Sequence, residues 1–358
     1  MLLTGRKGEC GPERFFMNLY FAPLEGIGGY IYRNAQAEFF AKADKYFSPF
    51  ISPARERRIR KKEYRDVCPE NNKSVYLVPQ ILTNDAELFC RTAEELAGMG
   101  YEEVNLNLGC PSKTVVTKYR GAGFLAKPDL LDAFLEQIFE KVQMRISIKT
   151  RIGMEDPEEF EHLLEIYNKY PVEELIVHPR VQTDYYKNHP RMDIFCFAVK
   201  HTAIPLVYNG DIFSRDDYHT RMKGVCSGDP ENPGTAAVML GRGVLADPAL
   251  FGEIRGTERL EKKKLQAFHD RLIADYAEFL SGETNVLYKM KELWFYMAPM
   301  FENYEKYAKR IRKSRKICEY REAVRSLFAE QELKERQNPR MELSGNYYCS
   351  GQHQTFTV

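Results

Sequence analysis

The sequence predicts an α/β fold, a (β/α)8 TIM barrel followed by a smaller all-helical C-terminal domain. Three observations predict it. Eight short apolar segments alternate with segments of helical period, which is the pattern of βαβ units and a parallel sheet. The strand-like segments stop near residue 240, and from about residue 258 the sequence is helical in period and rich in aromatic residues. The chain has 358 residues, 44% of them hydrophobic, which is enough for one large barrel and an added domain.

The elements follow one another in regular order. The predicted strands lie at 18–22, 46–50, 74–80, 103–107, 146–149, 175–178, 205–209 and 236–240. The predicted helices lie at 30–42, 85–99, 128–143, 157–170, 190–201 and 214–223, and the segment 54–65 is too charged to assign. An open doubly wound sheet is the alternative, but APLEGIGGY after the first strand lacks the G-x-G-x-x-G spacing of a dinucleotide-binding loop.

Helix boundary residues agree with this order. Pro128 with Asp129 begins one helix, and Asp156 with Pro157 begins another, because proline suits the first turn and acidic residues complement the helix dipole. Four regions are therefore expected: an N-terminal extension at 1–16, the barrel at 17–257, the helical domain at 258–332 and a polar tail at 333–358.

Charge is balanced overall but uneven along the chain. The 52 Lys and Arg residues and 51 Asp and Glu residues give a formal net charge of +1. Two blocks, 54–65 and 304–325, are strongly basic, which suits a protein that meets a polyanion on one face. Solvated helix faces remain the alternative explanation for each block.

Several classes of protein are excluded. No stretch approaches ~18 consecutive apolar residues, so no membrane-spanning helix is expected. The N-terminus lacks a signal-peptide pattern, so a cytoplasmic protein is expected. The eight cysteines are scattered and no C-x-x-C occurs, which argues against a metal site or a disulfide framework.

Polar or reactive residues stand at or just after the ends of six consecutive predicted strands, at positions where a core strand does not need them. They are Gln80, Asn107 and Cys110, Lys149 and Arg151, His178 and Arg180, Asn209-Gly210-Asp211, and Gly241-Arg242-Gly243. The carboxyl ends of all strands in a parallel barrel open on one rim, where barrel active sites are built. The loops after strands seven and eight are the usual phosphate site of this fold, and their glycines let backbone amides approach a ligand.

Taken together, these residues resemble the tRNA-dihydrouridine synthases. The matching motifs, in the family's order over residues ~17–325, are APLEGI (22–27), VPQILTND (78–85), NLNLGCPS (105–112), GAGFLAKP (121–128), IKTRIG (148–153), VHPR (177–180), NGDIFS (209–214) and MLGRGVLADPALF (239–251). The resemblance implies an FMN-binding barrel, a helical domain that helps to hold tRNA, and NADPH (or NADH) as reductant.

The resemblance also implies roles for single residues. The backbone of Ala22, Pro23 and Leu24 would pass beside the flavin ring. Gln80 and Lys149 would contact the ring, with His178 beside it. The ribityl phosphate would be held by Asn209, Gly210, Asp211, Gly241 and Arg242. Cys110 matches the family's proton donor.

The chemistry of the reaction agrees with these roles. Reduction of the uracil C5=C6 bond needs a hydride at C6, which reduced flavin supplies, and a proton at C5. A thiol with a pKa near 8.5 is protonated at neutral pH and can donate that proton, so Cys110 is the expected acid. A cationic Lys149 would stabilise the anionic reduced flavin.

The substrate would be a uridine flipped out of a folded tRNA. At the rim, Asn107, Arg151 and Arg180 are candidate substrate contacts. On the helical domain, Lys309, Arg312, Lys313 and Lys316 are predicted to share one helix face and bind tRNA phosphates. Aromatic residues in 288–307 either stack on bases or form the domain core.

The sequence departs from the family pattern in two places. The segment 223–235 is an enlarged, turn-rich loop, and Asn188 and Met192 replace the glycine and the small or aromatic residue expected after strand six. Two other functions remain open: a flavin barrel acting on a free pyrimidine or small enone, and a non-catalytic tRNA-binding relative. No protein partner is implied, and a monomer is expected.

Overall fold

Eight parallel strands close into a barrel in the computed structural model, which describes residues 17–55, 59–223, 225 and 235–334. The strands are β1 (Asn18–Phe21), β2 (Lys45–Ile51), β3 (Leu77–Ile81), β4 (Glu103–Leu108), β5 (Arg145–Arg151), β6 (Leu175–His178), β7 (Leu206–Tyr208) and β8 (Thr235–Leu240). Each strand pairs in parallel with the next, and β8 pairs with β1 in the register Leu19 to Val238. The predicted fold class is confirmed.

Helices connect the strands and continue past the last one. Those of the barrel are α1 (Tyr30–Phe39), α2 (Lys61–Val67), α3 (Ala86–Gly98), α4 (Lys113–Val116), α5 (Pro128–Lys141), α6 (Glu159–Tyr167), α7 (Met192–His201), α8 (Arg215–Met222), α9 (Arg242–Ala246) and α10 (Leu250–Arg255). Four more follow: α11 (Lys262–Phe279), α12 (Glu283–Met297), α13 (Glu305–Lys313) and α14 (Ile317–Glu330). Short 3-10 helices lie at Pro69–Asn71, Gly121–Ala126, Gln182–Asp184 and Ala298–Met300. The charged segment that the sequence leaves unassigned contributes the start of α2.

Three of the sequence predictions fall largely outside the described residues: the N-terminal extension, most of the loop at 223–235, and the tail from residue 335 onward. Residues 333 and 334, assigned above to the tail, belong to the helical region. Leu333 forms an antiparallel bridge with Phe301, and the Lys334 amide donates to the Met300 carbonyl at 2.8 Å. No helix in the described part of the chain combines the length and apolar character that crossing a membrane requires.

The barrel interior is divided into an apolar and a polar part. Its apolar cluster comes from six strands and comprises Tyr20, Ala22, Phe47, Val78, Ile176, Val207, Ala237 and Met239. Polar residues take the inward positions of β4 and β5, and on β3 Gln80 follows Val78 on the inward face, since alternate residues of a strand face the same side. Four of these polar residues, Gln80, Glu103, Asn105 and Ser147, are at most 2% exposed.

The C-terminal helices pack against the barrel on its α1 side. The Phe268 ring of α11 meets the rings of Tyr32 and Phe40 edge-on, with centroids 5.7 and 5.4 Å apart. Lys289 of α12 donates to the Gly26 carbonyl in the loop after β1. The helical region therefore adjoins the rim of the barrel where the first predicted site motif lies.

A buried polar cluster joins three of these helices. Tyr320 of α14 receives the indole N–H of Trp294 on α12, and its hydroxyl lies 2.7 Å from Nε2 of His269 on α11. The other ring nitrogen of His269 lies 2.9 Å from a carboxylate oxygen of Asp270. Trp294, Phe301 and Tyr307 are buried, so they belong to the domain core, whereas Tyr288 and Phe295 are exposed.

Replacement of Tyr320 with phenylalanine is expected to lower the free energy of unfolding by about 1 to 3 kcal/mol. The change leaves the buried Trp294 N–H without its acceptor. Thermal unfolding measures the loss, and cofactor content should be unchanged because no hydrogen bond of the cluster involves a residue of the rim. An unchanged melting temperature would show that the cluster does not hold the three helices together.

Candidate active site

Cys110 lies in a tightly built loop just after β4. The Asn107 side-chain oxygen accepts hydrogen bonds from the backbone amides of Gly109 and Cys110, at 3.1 and 3.0 Å. The Cys110 carbonyl accepts from the Ala122 amide at 3.1 Å. A Cβ on Gly121, whose φ is +54°, would lie 2.9 Å from that carbonyl, so only glycine fits. The GAG motif (121–123) therefore packs against the loop at 109–112 that carries Cys110, called the cysteine loop below.

Lys149 faces the same part of the rim. It is opposite Asn107 in the β4–β5 register, and no carboxylate lies within ion-pair distance of it among the residues that the structure describes. Burial, with a smaller contribution from the charge of Arg151, lowers the pKa of Lys149 to about 7. Burial raises the pKa of the Cys110 thiol, although Arg151 and Lys149 act in the opposite direction. The thiol is therefore protonated at neutral pH. An anion bound nearby would help to keep Lys149 charged.

Arg151, predicted as a substrate contact, binds the protein itself. Its guanidinium donates to the carbonyls of Gly109, Val181 and Tyr185 at 3.0, 2.9 and 3.0 Å, and the residue is 1% exposed. These bonds tie the cysteine loop to the loop after β6. The geometry gives Arg151 a positioning role and leaves it no free face for RNA.

His178 is neutral in this site. Arg180 can only donate, so its contact of 3.0 Å makes Nε2 of His178 the acceptor and places the proton on Nδ1. Burial and the four neighbouring cations, led by Arg151 and Lys149, hold the pKa of His178 well below its usual value. Within the described part of the chain Nδ1 has no hydrogen-bond partner, which leaves an N–H donor available to a ligand.

Asp211 bridges two arginines. It accepts from Arg180 through both carboxylate oxygens, one of them at 3.0 Å, and from Arg242 at 2.7 Å. Burial acts to raise the pKa of Asp211, but the hydrogen bonds of Arg180 and the charges of both arginines hold it below its usual value. An ionised carboxylate accepts hydrogen bonds and repels an anion, so the Asp211 side chain is suited to orienting Arg242, and a direct contact of Asp211 with a phosphate would come from its backbone. The assignment of Asp211 to the phosphate site stays a prediction.

The remaining predicted phosphate residues lie at the ends of β7 and β8. The Asn209 side chain donates to the Met239 carbonyl at 2.8 Å and so joins the two strand ends. Gly241 precedes α9, and a Cβ on it would lie 3.3 Å from that of Ala22 and 3.5 Å from Leu24. The end of β8 therefore lies against the APLEGI loop. This proximity is needed if Gly241 and residues 22–24 are to bind the same ligand, as predicted.

Two further residues of the loop after β6 shape this region. The exposed ring of Tyr186 lies 4.3 Å from the Arg242 guanidinium and 6.0 Å from the His178 ring. The sequence does not single out Tyr186, and only an aromatic residue in a rim loop could have indicated it. Asn188, where the family pattern has glycine, donates to Asp184, and its carbonyl accepts from Arg180 at 2.5 Å.

Gln80, in β3, and Arg180, just after β6, are both buried. Gln80 is fully buried and bonds to the side chains of Asn105 and Asn107, each at 2.7 Å. Arg180 is 1% exposed and paired with Asp211, which argues for positioning over contact with a large substrate.

The predicted basic face of the helical region is divided between two elements. Lys309, Arg312 and Lys313 are exposed on α13, which ends at Lys313. Lys316 is the N-cap of α14, so the prediction that all four residues share one helix face is wrong. A turn containing the buried Ser314 separates them. The residues still lie within one short stretch of exposed chain.

No cluster of three or more potential metal ligands occurs in the ranges that the structure describes. The site instead combines a protonated thiol, a half-buried lysine, a neutral histidine and an arginine behind a glycine-lined loop. Together with the closed parallel barrel, this defines a barrel enzyme whose rim is suited to an anionic ligand.

The chain belongs to the dihydrouridine synthase (Dus) family, whose model matches residues 20–343. It is 28% identical over 252 residues to the tRNA-dihydrouridine(16) synthase of Ralstonia nicotianae, covering 66% of this chain and 72% of that protein. It is 26% identical over 249 residues to tRNA-dihydrouridine synthase B of Shewanella oneidensis, covering 69% of this chain and 74% of that protein. Among solved structures, a variant of NCR from Zymomonas mobilis is similar with a TM-score of 0.47 and 13% identity, over 68% of this chain and 88% of the other.

Proposed function

We propose that this protein is an FMN-dependent tRNA-dihydrouridine synthase, which reduces the C5=C6 bond of specific uridines in tRNA. The observation that carries the proposal is the protonated thiol of Cys110 held on the barrel rim beside Lys149, in a member of the dihydrouridine synthase family. The tRNA substrate follows from the names of the relatives.

The residues present fit an anionic flavin. Lys149 is a half-buried cation without a described carboxylate partner, His178 has an N–H without a described partner, and Arg242 is bonded to Asp211. Gly241 faces the side chains of Ala22 and Leu24, which a Cβ on it would approach to 3.3 and 3.5 Å, so the end of β8 carries no side chain on that side. These residues would hold FMN, with Gln80 in the wall behind them. When bound and reduced by NADPH (or NADH), FMN supplies the hydride that adds to C6 of the uracil.

The protein's own groups complete the reaction. Lys149 is held charged by an adjacent anion, and its positive charge in a buried site strengthens the binding of that anion. The Cys110 thiol donates its proton to C5, so that one hydride and one proton are added to the base. The thiolate then takes a proton from solvent before the next turnover, which its raised pKa favours.

The activity is tested by incubating the purified protein with NADPH and an unmodified tRNA transcript. Nucleoside mass spectrometry is expected to detect dihydrouridine in the tRNA. When a free pyrimidine is supplied in place of tRNA, no reduced pyrimidine is expected. Reduction of the free pyrimidine with no product in tRNA would instead identify a small-molecule reductase. A protein without flavin or redox activity that still binds tRNA would be a non-catalytic relative.

The exposed basic residues of α13 are proposed to bind tRNA phosphates. Reversing the charges of Lys309, Arg312 and Lys313 to glutamate is expected to weaken tRNA binding by at least about tenfold at low salt and to flatten its salt dependence. Lys141, Lys169 and Lys200, exposed on or next to the outer helices α5, α6 and α7 and outside both basic blocks, serve as a charge-matched control. Filter binding at several salt concentrations measures the effect, and equal losses for both triple variants would show that α13 is not a specific site.

A further inference from the structure

A column of buried polar side chains runs through the barrel wall from its amino-terminal end to the cysteine loop. Its members are Glu103, Ser147, Asn105, Gln80 and Asn107, and each is bonded to the next. Glu103 and Asn107 are four residues apart on β4, about 13 Å at the usual strand rise. The column therefore connects the two ends of the barrel.

Every hydrogen bond in the column has a defined direction. The Ser147 hydroxyl donates its single hydrogen to Glu103 at 2.8 Å, so its oxygen accepts from the Asn105 amide at 3.0 Å. The oxygen of Asn105 then accepts from the Gln80 amide at 2.7 Å. The Gln80 oxygen accepts from the Asn107 amide, also at 2.7 Å. This leaves the Asn107 oxygen for the backbone amides of Gly109 and Cys110.

Among the side chains of the column only Glu103 cannot be turned around, and at the other end the backbone amides of Gly109 and Cys110 can only donate. A carboxylate accepts at both oxygens, whereas serine and the amides can donate or accept. Burial raises the pKa of Glu103, and Lys45, whose ammonium lies 3.0 Å from its second oxygen, acts to lower it. Both Glu103 oxygens face donors, because lysine can only donate and Ser147 donates at 2.8 Å. If the acceptor at this end were lost, Ser147 could donate to Asn105, and each amide along the column could reverse.

We infer that Glu103 is a positioning residue that fixes the orientation of the Gln80 and Asn107 amides and, through them, the loop carrying Cys110. The inference rests on the proposed function, because Cys110 acts there on the substrate and Gln80 lies behind the residues that would hold the flavin. It predicts an effect on the rim from a residue that touches neither.

The substitution Glu103→Gln tests the orientation directly, because it keeps the shape of the side chain. Lys45 can only donate, so the introduced glutamine must turn its oxygen toward Lys45 and its amide toward Ser147. Ser147 then donates to Asn105, because its other acceptor, the Val104 carbonyl, is more distant at 3.5 Å, and the column reverses. The Asn107 amide would face the backbone amide of Cys110, which loses its acceptor.

The main readout is hydrogen exchange of the Cys110 backbone amide, followed by NMR in the full-length protein labelled with 15N-cysteine and freed of cofactor. Exchange is expected to be about fivefold to tenfold faster in Glu103→Gln than in the wild type. Titration with FMN provides a second readout, and the Kd should rise by a similar factor because the Gln80 amide is reversed. Removal of Lys45 in the double variant Glu103→Gln/Lys45→Met frees the introduced glutamine to accept from Ser147, and the exchange rate should return to that of the wild type.

Glu174→Gln is the matched control. Glu174 also bonds Lys45, at 2.9 Å, and Tyr20, at 2.6 Å, but it has no bond to the column. It should leave both readouts unchanged. If Glu103→Gln does not fold, Ser147→Ala is expected to speed exchange in the same direction, because Asn105 loses its acceptor. The inference would be overturned if the Cys110 amide exchanged at the same rate in the wild type, Glu103→Gln and Ser147→Ala. It would also be overturned if Glu174→Gln sped up the exchange as much as Glu103→Gln does. Failure of FMN to bind the wild type would contradict the proposed function alone, since the exchange readout needs no flavin.

Discussion

Replacing Cys110 with alanine should lower the rate of uridine reduction by about 10²- to 10⁴-fold while leaving bound flavin in place. Cys110 is the acid at C5, and its thiol is kept protonated by burial. Its loop is held by backbone bonds to Asn107 and Ala122, which an alanine retains. The step that reduces the flavin needs no proton from this thiol and should keep its rate.

The two half-reactions are therefore measured separately by stopped-flow absorbance. Cys90→Ala is the control, since Cys90 is also a partly buried cysteine but lies on α3, in the outer layer of the barrel. A Cys110→Ala variant that reoxidises with tRNA at the wild-type rate would remove Cys110 from the mechanism. Loss of flavin from the variant would instead mean that the cysteine loop is needed to form the site.

Replacing Lys149 with methionine is expected to have opposite effects on binding and stability. Flavin affinity should fall by at least about tenfold, because the half-buried cation that faces the anionic ligand is lost. The cofactor-free protein should become more stable, because the folded state no longer buries that charge. The pKa of Lys149 is about 7 in the folded protein against an ordinary value of 10.5, so the gain below pH 7 is at most about 5 kcal/mol.

The sign of the pH dependence follows from the same pKa. Between about pH 7 and pH 10.5 the unfolded chain binds a proton at Lys149 that the folded chain does not, so the stability of the wild type rises with pH. The advantage of Lys149→Met should therefore be constant below pH 7 and shrink above it. Chemical denaturation at pH 6 and pH 9 tests this, with the exposed Lys141→Met as control. A variant that is no more stable at pH 6 would show that Lys149 is not buried as a cation.

The strands were predictable from the sequence because all eight are short apolar segments between helices, and the barrel follows from their number. The position of Cys110, Lys149 and His178 on one rim follows from strand ends alone. The ion pairs of Asp211 could not be predicted in this way. A motif match gives the position of Asp211 in the chain, but it does not show that Arg180 and Arg242 reach it from the ends of β6 and β8.

Other features depend on contacts between strands. The column from Glu103 to Asn107 joins residues of three strands, and each of them alone reads as an ordinary polar residue. Helical spacing that continues past Lys313 predicts Lys316 on the same helix, whereas Glu319 caps a new helix there and the chain turns. Periodicity describes one element at a time and misses such pairings.

A single turnover tests the central claim, that the rim around Cys110 and Lys149 carries a flavin that reduces uridine in tRNA. The protein is reduced anaerobically with NADPH, separated from excess nicotinamide and mixed with unmodified tRNA. The account predicts that the flavin reoxidises as the tRNA gains two hydrogen atoms at a uridine, one uridine for each flavin. A protein that carries no flavin, or a reduced flavin that tRNA leaves unchanged, would contradict it.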